Sequence, residues 1–131
     1  MTGFRYFLLI MATALLITAC DGNEKQVSMQ VHATAYTSQK DQTSNHPFLG
    51  AWGDELKPGM KAIAVSRDLI AKGLTHNTRV KIEGLDGEYV VKDKMNKRWT
   101  DKIDIYMGLD TQAAQDWGKR EVTITFDIAE N

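Results

Sequence analysis

Residues 90–108 read Val90-Val91-Lys92-Asp93-Lys94-Met95-Asn96-Lys97-Arg98-Trp99-Thr100-Asp101-Lys102-Ile103-Asp104-Ile105-Tyr106-Met107-Gly108. Ile103 and Ile105 flank Asp104. A strand's period of two therefore puts the isoleucines on one face and Asp104 with Tyr106 on the other. The isoleucines belong in a core, so Asp104 faces a groove or solvent beside Tyr106. Asp93 closes the preceding strand. If the two strands are neighbours, Asp93 can approach Asp104. Close carboxylates resist ionising together, which raises one pKa and keeps that carboxyl protonated as a general acid. Cleaving a glycosidic bond needs such an acid at the leaving oxygen. The plain alternative is that Asp93 caps its loop and Asp104 makes a surface ion pair. Lys92, Lys94, Lys97, Arg98 and Lys102 surround the pair. These cations lower carboxylate pKa values and suit an acidic substrate.

Outward from this stretch the chain reads as short strands. Met29 to Tyr36 predicts a first strand, and Thr37 to Pro58 a long polar loop containing Trp52. Lys61 to Ser66 predicts a short strand, and Arg67 to Leu74 a helical turn ending near Gly73. Val80 and Ile82 alternate with Arg79 and Lys81, a half-buried strand over Thr78 to Glu83. Leu85-Asp86-Gly87 is a turn signal, so Glu88 to Lys92 returns as the hairpin partner. Lys102 to Met107 is the next strand. Asp110 can cap a helix running to Trp117, with Gly118 at its end. Glu121 to Ile128 alternates Val122, Ile124 and Phe126 and closes the domain. About six strands and one clear helix make an all-β barrel or sandwich, and strand physics alone does not choose between them.

Composition narrows the function. The chain has 131 residues, one ordinary domain's worth, with 43% hydrophobic and 25% charged residues. Its 16 basic and 17 acidic side chains give a formal charge of -1. That balance argues against nucleic acid, whose binders carry a basic surplus. One cysteine excludes an internal disulfide framework. His32, His46 and His76 are widely spaced and fit no metal motif, so neither a metal site nor a cofactor is expected. The chain is expected to be a monomer.

The N-terminus reads as a targeting segment. Arg5 precedes an apolar run from Phe7 to Ile17 that is too short to span a bilayer and suits a secretory signal. The run ends in Leu16-Ile17-Thr18-Ala19-Cys20, which resembles a bacterial lipobox. Residues 1–19 are then the signal peptide. Residues 20–28 are the lipidated Cys20 and a polar tether, and 29–131 are the domain. The barrel would be a cell-envelope lipoprotein facing the periplasm.

The order Ala33-Thr34-Ala35-Tyr36-Thr37, Ile63-Ala64-Val65, Thr78-Arg79-Val80, Asp93, Ile103-Asp104-Ile105-Tyr106, Trp117-Gly118-Lys119-Arg120 and Val122-Thr123-Ile124 resembles the three-aspartate (3D) domain. The resemblance runs from about Val31 to Phe126. It implies a small six-stranded double-psi β-barrel with one or two short helices, related to membrane-bound lytic transglycosylase A and rare lipoprotein A. It also implies an outer-membrane location, whereas Asp21 after Cys20 resembles an inner-membrane retention signal. By position, Asp104 matches the catalytic acid proposed for the transglycosylase and Asp93 its partner. Ser66 stands where the third aspartate follows the Ile-Ala-Val strand. Lys94 to Trp99 replaces a glycine-rich run.

Trp99 can stack on a sugar ring or pack within its loop, and Arg98 can pair with a substrate carboxylate. Tyr36 and Tyr106 are further candidates for the groove. Trp52 can border it, while Trp117 belongs in the core. The expected function is cleavage of peptidoglycan glycan strands by a lipid-anchored lytic transglycosylase-like enzyme, with Asp104 as acid and base. The alternative is a non-catalytic glycan-binding or envelope module, which Ser66 and the absent glycines favour.

Overall fold

The computed structural model describes residues 24–38 and 48–129. The signal segment, Cys20 and His46 lie outside them. Six strands close into a barrel: β1 (Glu24–Tyr36), β4 (Ala62–Val65), β5 (Arg79–Ile82), β6 (Glu88–Lys94), β7 (Lys102–Tyr106) and β8 (Arg120–Ala129). A two-stranded sheet of β2 (Phe48–Leu49) and β3 (Glu55–Leu56) sits outside it. The helices are α1 (Arg67–Ala71) and α2 (Thr111–Trp117).

The order around the barrel is β1-β7-β4-β6-β5-β8. Most neighbours are antiparallel, but β1 pairs with β7 and β4 with β6 in parallel. Parallel neighbours cannot be joined by a tight turn, so the chain must cross over. This is the double-psi β-barrel rather than a sandwich or an up-and-down barrel. Closure leaves no exposed edge among these six strands.

Alternation sets the core. Val80 and Ile82 of β5, Ile103 and Ile105 of β7, and Val122, Ile124 and Phe126 of β8 point inward and are buried. All four residues of β4 are buried. Ile63 and Val65 join the barrel core, whereas Ala62 belongs to a second cluster on the outer side. That cluster joins Leu56, Ala62 and Tyr106, with Tyr36, Phe48 and Met60 packed on it. The β2–β3 pair thus covers part of the barrel wall. Trp117 at the end of α2 packs into the main core and its indole N–H reaches the Ala33 carbonyl at 3.3 Å. As expected, the Asp110 carboxylate caps α2, accepting from the Ala113 amide at 2.9 Å. Gly118 ends the helix at φ 66°.

Two expectations need correction. The segment 37–58, read as a loop, contains β2 and β3. Strands of two residues carry no readable period. The tether also ends early, because Glu24 to Ser28 already pair with Ala129 to Thr125 of β8.

Candidate functional site

Four barrel strands place one rung of side chains in a row. Thr34 of β1 lies beside Asp104 of β7, Asp104 beside Ala64 of β4, and Ala64 beside Asp93 of β6. Two strand spacings separate the aspartates, about 10 Å between backbones. Ala64 between them is small, so the floor of the row stays open. A groove of about 290 Å³ lies over it, walled by Tyr36, Phe48, Met95, Asn96 and Trp99 together with the two aspartates.

Asp93 reaches this row through a β-bulge. In the β4–β6 ladder Ile63 faces Val91 but Ala64 faces Asp93, so Lys92 is the extra residue. Without the bulge, the period of two would give Asp93 the inward face of Val91. Asp93 Oδ1 then accepts from the Ala51 amide at 2.6 Å and from the Lys94 amide at 2.9 Å. The carboxylate is tied to the 50–54 loop and to its own strand end.

Asp104 is placed differently. It is half-buried, and Thr34 Oγ1 donates to its Oδ1 at 2.9 Å. Its Oδ2 takes no hydrogen bond from the described residues. Burial pushes its pKa up, Thr34 and Lys102 pull it down, and Asp93 pushes it up again, with a net upward shift. The carboxyl is therefore better able to hold a proton than an ordinary surface aspartate.

Tyr36 lines the same groove. Its hydroxyl is buried and has no hydrogen-bond partner among the described residues. Burial, then Asp93, Asp104 and Tyr106, push its pKa far up, so it remains a neutral phenol and a donor. Tyr106 is not beside Asp104 in the groove. It is 2% exposed, packs in the outer cluster, and its hydroxyl lies 2.5 Å from Ser38 Oγ. The period of two assigned its face correctly, but the β2–β3 pair covers that half of the face.

The 94–99 loop is ordered without glycines. The Met95 amide donates to the Val65 carbonyl at 2.9 Å, and Arg67 Nε to the Met95 carbonyl at 3.1 Å. Asn96 accepts from Arg98 N through its side chain and from Trp99 N through its carbonyl, both at 3.1 Å. Trp99 is 37% exposed at the groove's rim. Lys102 Nζ lies 3.7 Å from its ring centroid and the Arg98 guanidinium 4.9 Å.

Trp52 is absent from the groove wall. It stacks on His76 at 4.6 Å, and His76 Nε2 lies 2.5 Å from Asp54 Oδ2. Lys92 pairs with the same Asp54 at 3.6 Å. Sequence reasoning missed this cluster, whose members are far apart along the chain. It fastens the 50–54 loop whose Ala51 amide holds Asp93. Ser66 is fully buried, and its hydroxyl accepts from the Lys102 amide at 3.0 Å. It braces the start of β7 and does not line the groove. Asp68 accepts from the Asp101 amide at 2.9 Å and likewise serves the structure.

No family model matches the chain, and no curated protein matches it. Among solved structures it is similar to the Streptomyces papain inhibitor, with 18% identity, a TM-score of 0.51, and coverage of 78% of this chain and 94% of that one. An apo expansin of Clavibacter michiganensis gives 17% identity and a TM-score of 0.47, covering 80% of this chain and 51% of the expansin. A mutant of that expansin in complex with cellohexaose gives 14% and 0.46. At these identities the likeness concerns the fold, and the chain spans about half the length of the expansin.

Proposed function

We propose that this barrel acts on peptidoglycan glycan strands and cleaves their glycosidic bonds in the manner of a lytic transglycosylase. The observation that carries the reading is the Asp104 carboxyl. It has a raised pKa, one oxygen held by Thr34 and the other open to a groove rimmed by Trp99. Asp104 gives its proton to the glycosidic oxygen as the C1–O bond breaks. The resulting carboxylate then takes the proton of the same sugar's C6 hydroxyl as that oxygen closes on C1. The product is a 1,6-anhydro sugar, and Asp104 ends protonated, ready for another turn. One carboxyl suffices for this sequence.

A hydrolase needs a second carboxylate to activate water. Asp93 is engaged by two backbone amides and Asp101 pairs with Lys72 at 3.7 Å. The arrangement therefore favours the single-carboxyl route. The engagement of Asp93 also supports a second reading, in which the groove grips glycan without cutting it. We also place the protein at a membrane through lipidated Cys20, on the strength of the lipobox-like sequence.

Purified sacculi incubated with the full-length chain test the reading by mass spectrometry. Cleavage products should be one water lighter than hydrolytic ones and lack a reducing end. Asp104→Asn should slow their release by at least about 100-fold. Release at the wild-type rate by Asp104→Asn removes the acid assignment. No release by folded wild-type protein leaves the binding reading.

A further inference from the structure

We infer that a second cleft, beside the Asp104 groove, is an anion subsite for a carboxylate or phosphate carried by the glycan. The inference rests on the glycan reading of the groove. This cleft encloses about 430 Å³, and Trp99 walls both cavities. Thr34 lines the second cleft while its hydroxyl holds Asp104 in the first. A chain lying in the groove can therefore set a substituent into the cleft across Trp99.

The charge of the cleft points to its ligand. Arg98, Lys102, Lys119 and Arg120 line it, with His32, against the single carboxylate of Glu121. Such a surplus stands out in a chain whose formal charge is -1. Among the described residues none of the four cations is in an ion pair. Gathering like charges in a concave site opposes folding and focuses a positive potential, a cost that a bound anion offsets. Two of the cations are already positioned. Arg120 donates to the Trp117 carbonyl at 3.1 Å and the Asp116 carbonyl at 3.4 Å, with its guanidinium 3.9 Å from the Trp117 ring. Lys102 rests on Trp99. The side chains of Arg98 and Lys119 make no hydrogen bond to the described residues, which leaves them able to close on a ligand. A guanidinium can grip a carboxylate or phosphate through two parallel hydrogen bonds.

Three probes titrated against the purified full-length chain test this: glycan strands with free lactyl carboxylates, the same strands neutralised by carbodiimide amidation, and poly(glycerol phosphate). Native strands should bind about tenfold tighter than amidated ones, with the preference shrinking as salt rises. The double variant Arg98→Gln/Lys119→Gln, shown to be folded by its thermal melt, should lose the preference. If the phosphate polymer binds instead and the double variant loses that binding, the subsite stands with phosphate as its anion. Equal binding of native and amidated strands, with no binding of the phosphate polymer, overturns the inference. A double variant that keeps the wild-type preference does the same. Failure of the catalytic reading is separate: it appears as no release of sugar from sacculi by folded wild-type protein and leaves this titration unmoved.

Discussion

The proton that the proposed mechanism asks of Asp104 also bears on the stability of the barrel. Its folded pKa lies above the ordinary carboxylate value, with burial as the largest cause. Between the unfolded and folded values the native state holds a proton that the unfolded state has released. Stability therefore falls as pH rises through that window. Asp104→Asn removes the titration and keeps an acceptor for Thr34. Its melting temperature should match wild type in acid and exceed it as pH rises past the carboxylate range. A gap that widens towards acid instead contradicts the raised carboxyl. Ser66 is a second residue whose surroundings decide its role. The family resemblance sets an aspartate there, and on that resemblance alone Ser66→Asp restores a catalytic group. The site is fully buried, however, and the hydroxyl accepts from the Lys102 amide. A carboxylate there is desolvated away from the groove. We expect Ser66→Asp to cost at least about 2 kcal/mol, lowering the melting temperature by about 10 °C, with no gain in cleavage. An unchanged melt, or faster cleavage, contradicts this.

At the scale of elements, the barrel strands were legible because they are amphipathic. Val80 and Ile82, Ile103 and Ile105, and Val122, Ile124 and Phe126 alternate as a half-buried strand must. The capped helix from Asp110 to Gly118 was legible from local chemistry, and the crossed connections came from the family resemblance, since alternation does not reveal which strands pair. Other features were hidden for physical reasons. β2 and β3 are too short to show a period, and they are what buries Tyr106. The bulge at Lys92 depends on how β6 is paired with β4, so nothing local to residues 88–94 announces that Asp93 turns to the groove. The 50–54 loop joins these hidden parts, because its Ala51 amide holds Asp93. Gly50 lets that loop approach: a Cβ at this position runs into the Lys92 carbonyl oxygen at the bulge. Gly50→Ala should push the loop off Asp93, with a stability loss of about 1–2 kcal/mol and faster hydrogen exchange at the Ala51 amide. If that amide stays as protected as in wild type, the loop does not depend on the close approach.

On the scale of the whole molecule, β1 sets how far the groove stands from Cys20, the proposed point of anchoring. Only residues 21–23 lie between Cys20 and the start of β1 at Glu24. Four peptide steps span at most about 14 Å. From Glu24 to Thr34, which lies on the rung of Asp104, β1 runs ten steps at about 3.3 Å each. Paired with β8 over that length, the strand acts as a stiff spacer that holds the groove about 33 Å from its own start. On the proposed reading, the groove then meets glycan lying beyond the lipid surface, and the lipid takes no part in the proposed cleavage. The proposed anchoring and the proposed cleavage can therefore be measured apart. Cys20→Ser should move the protein from the membrane to the soluble fraction and abolish lipid labelling. The released protein should cut purified sacculi at close to the rate of detergent-solubilised wild type, since the substitution lies strands away from Asp104. In cells, the same variant should turn over less glycan because the barrel is no longer concentrated at the membrane. Membrane fractionation unchanged by Cys20→Ser, with lipid labelling intact, removes the anchor. Loss of cleavage in solution by a released, folded protein removes the independence of the groove from it.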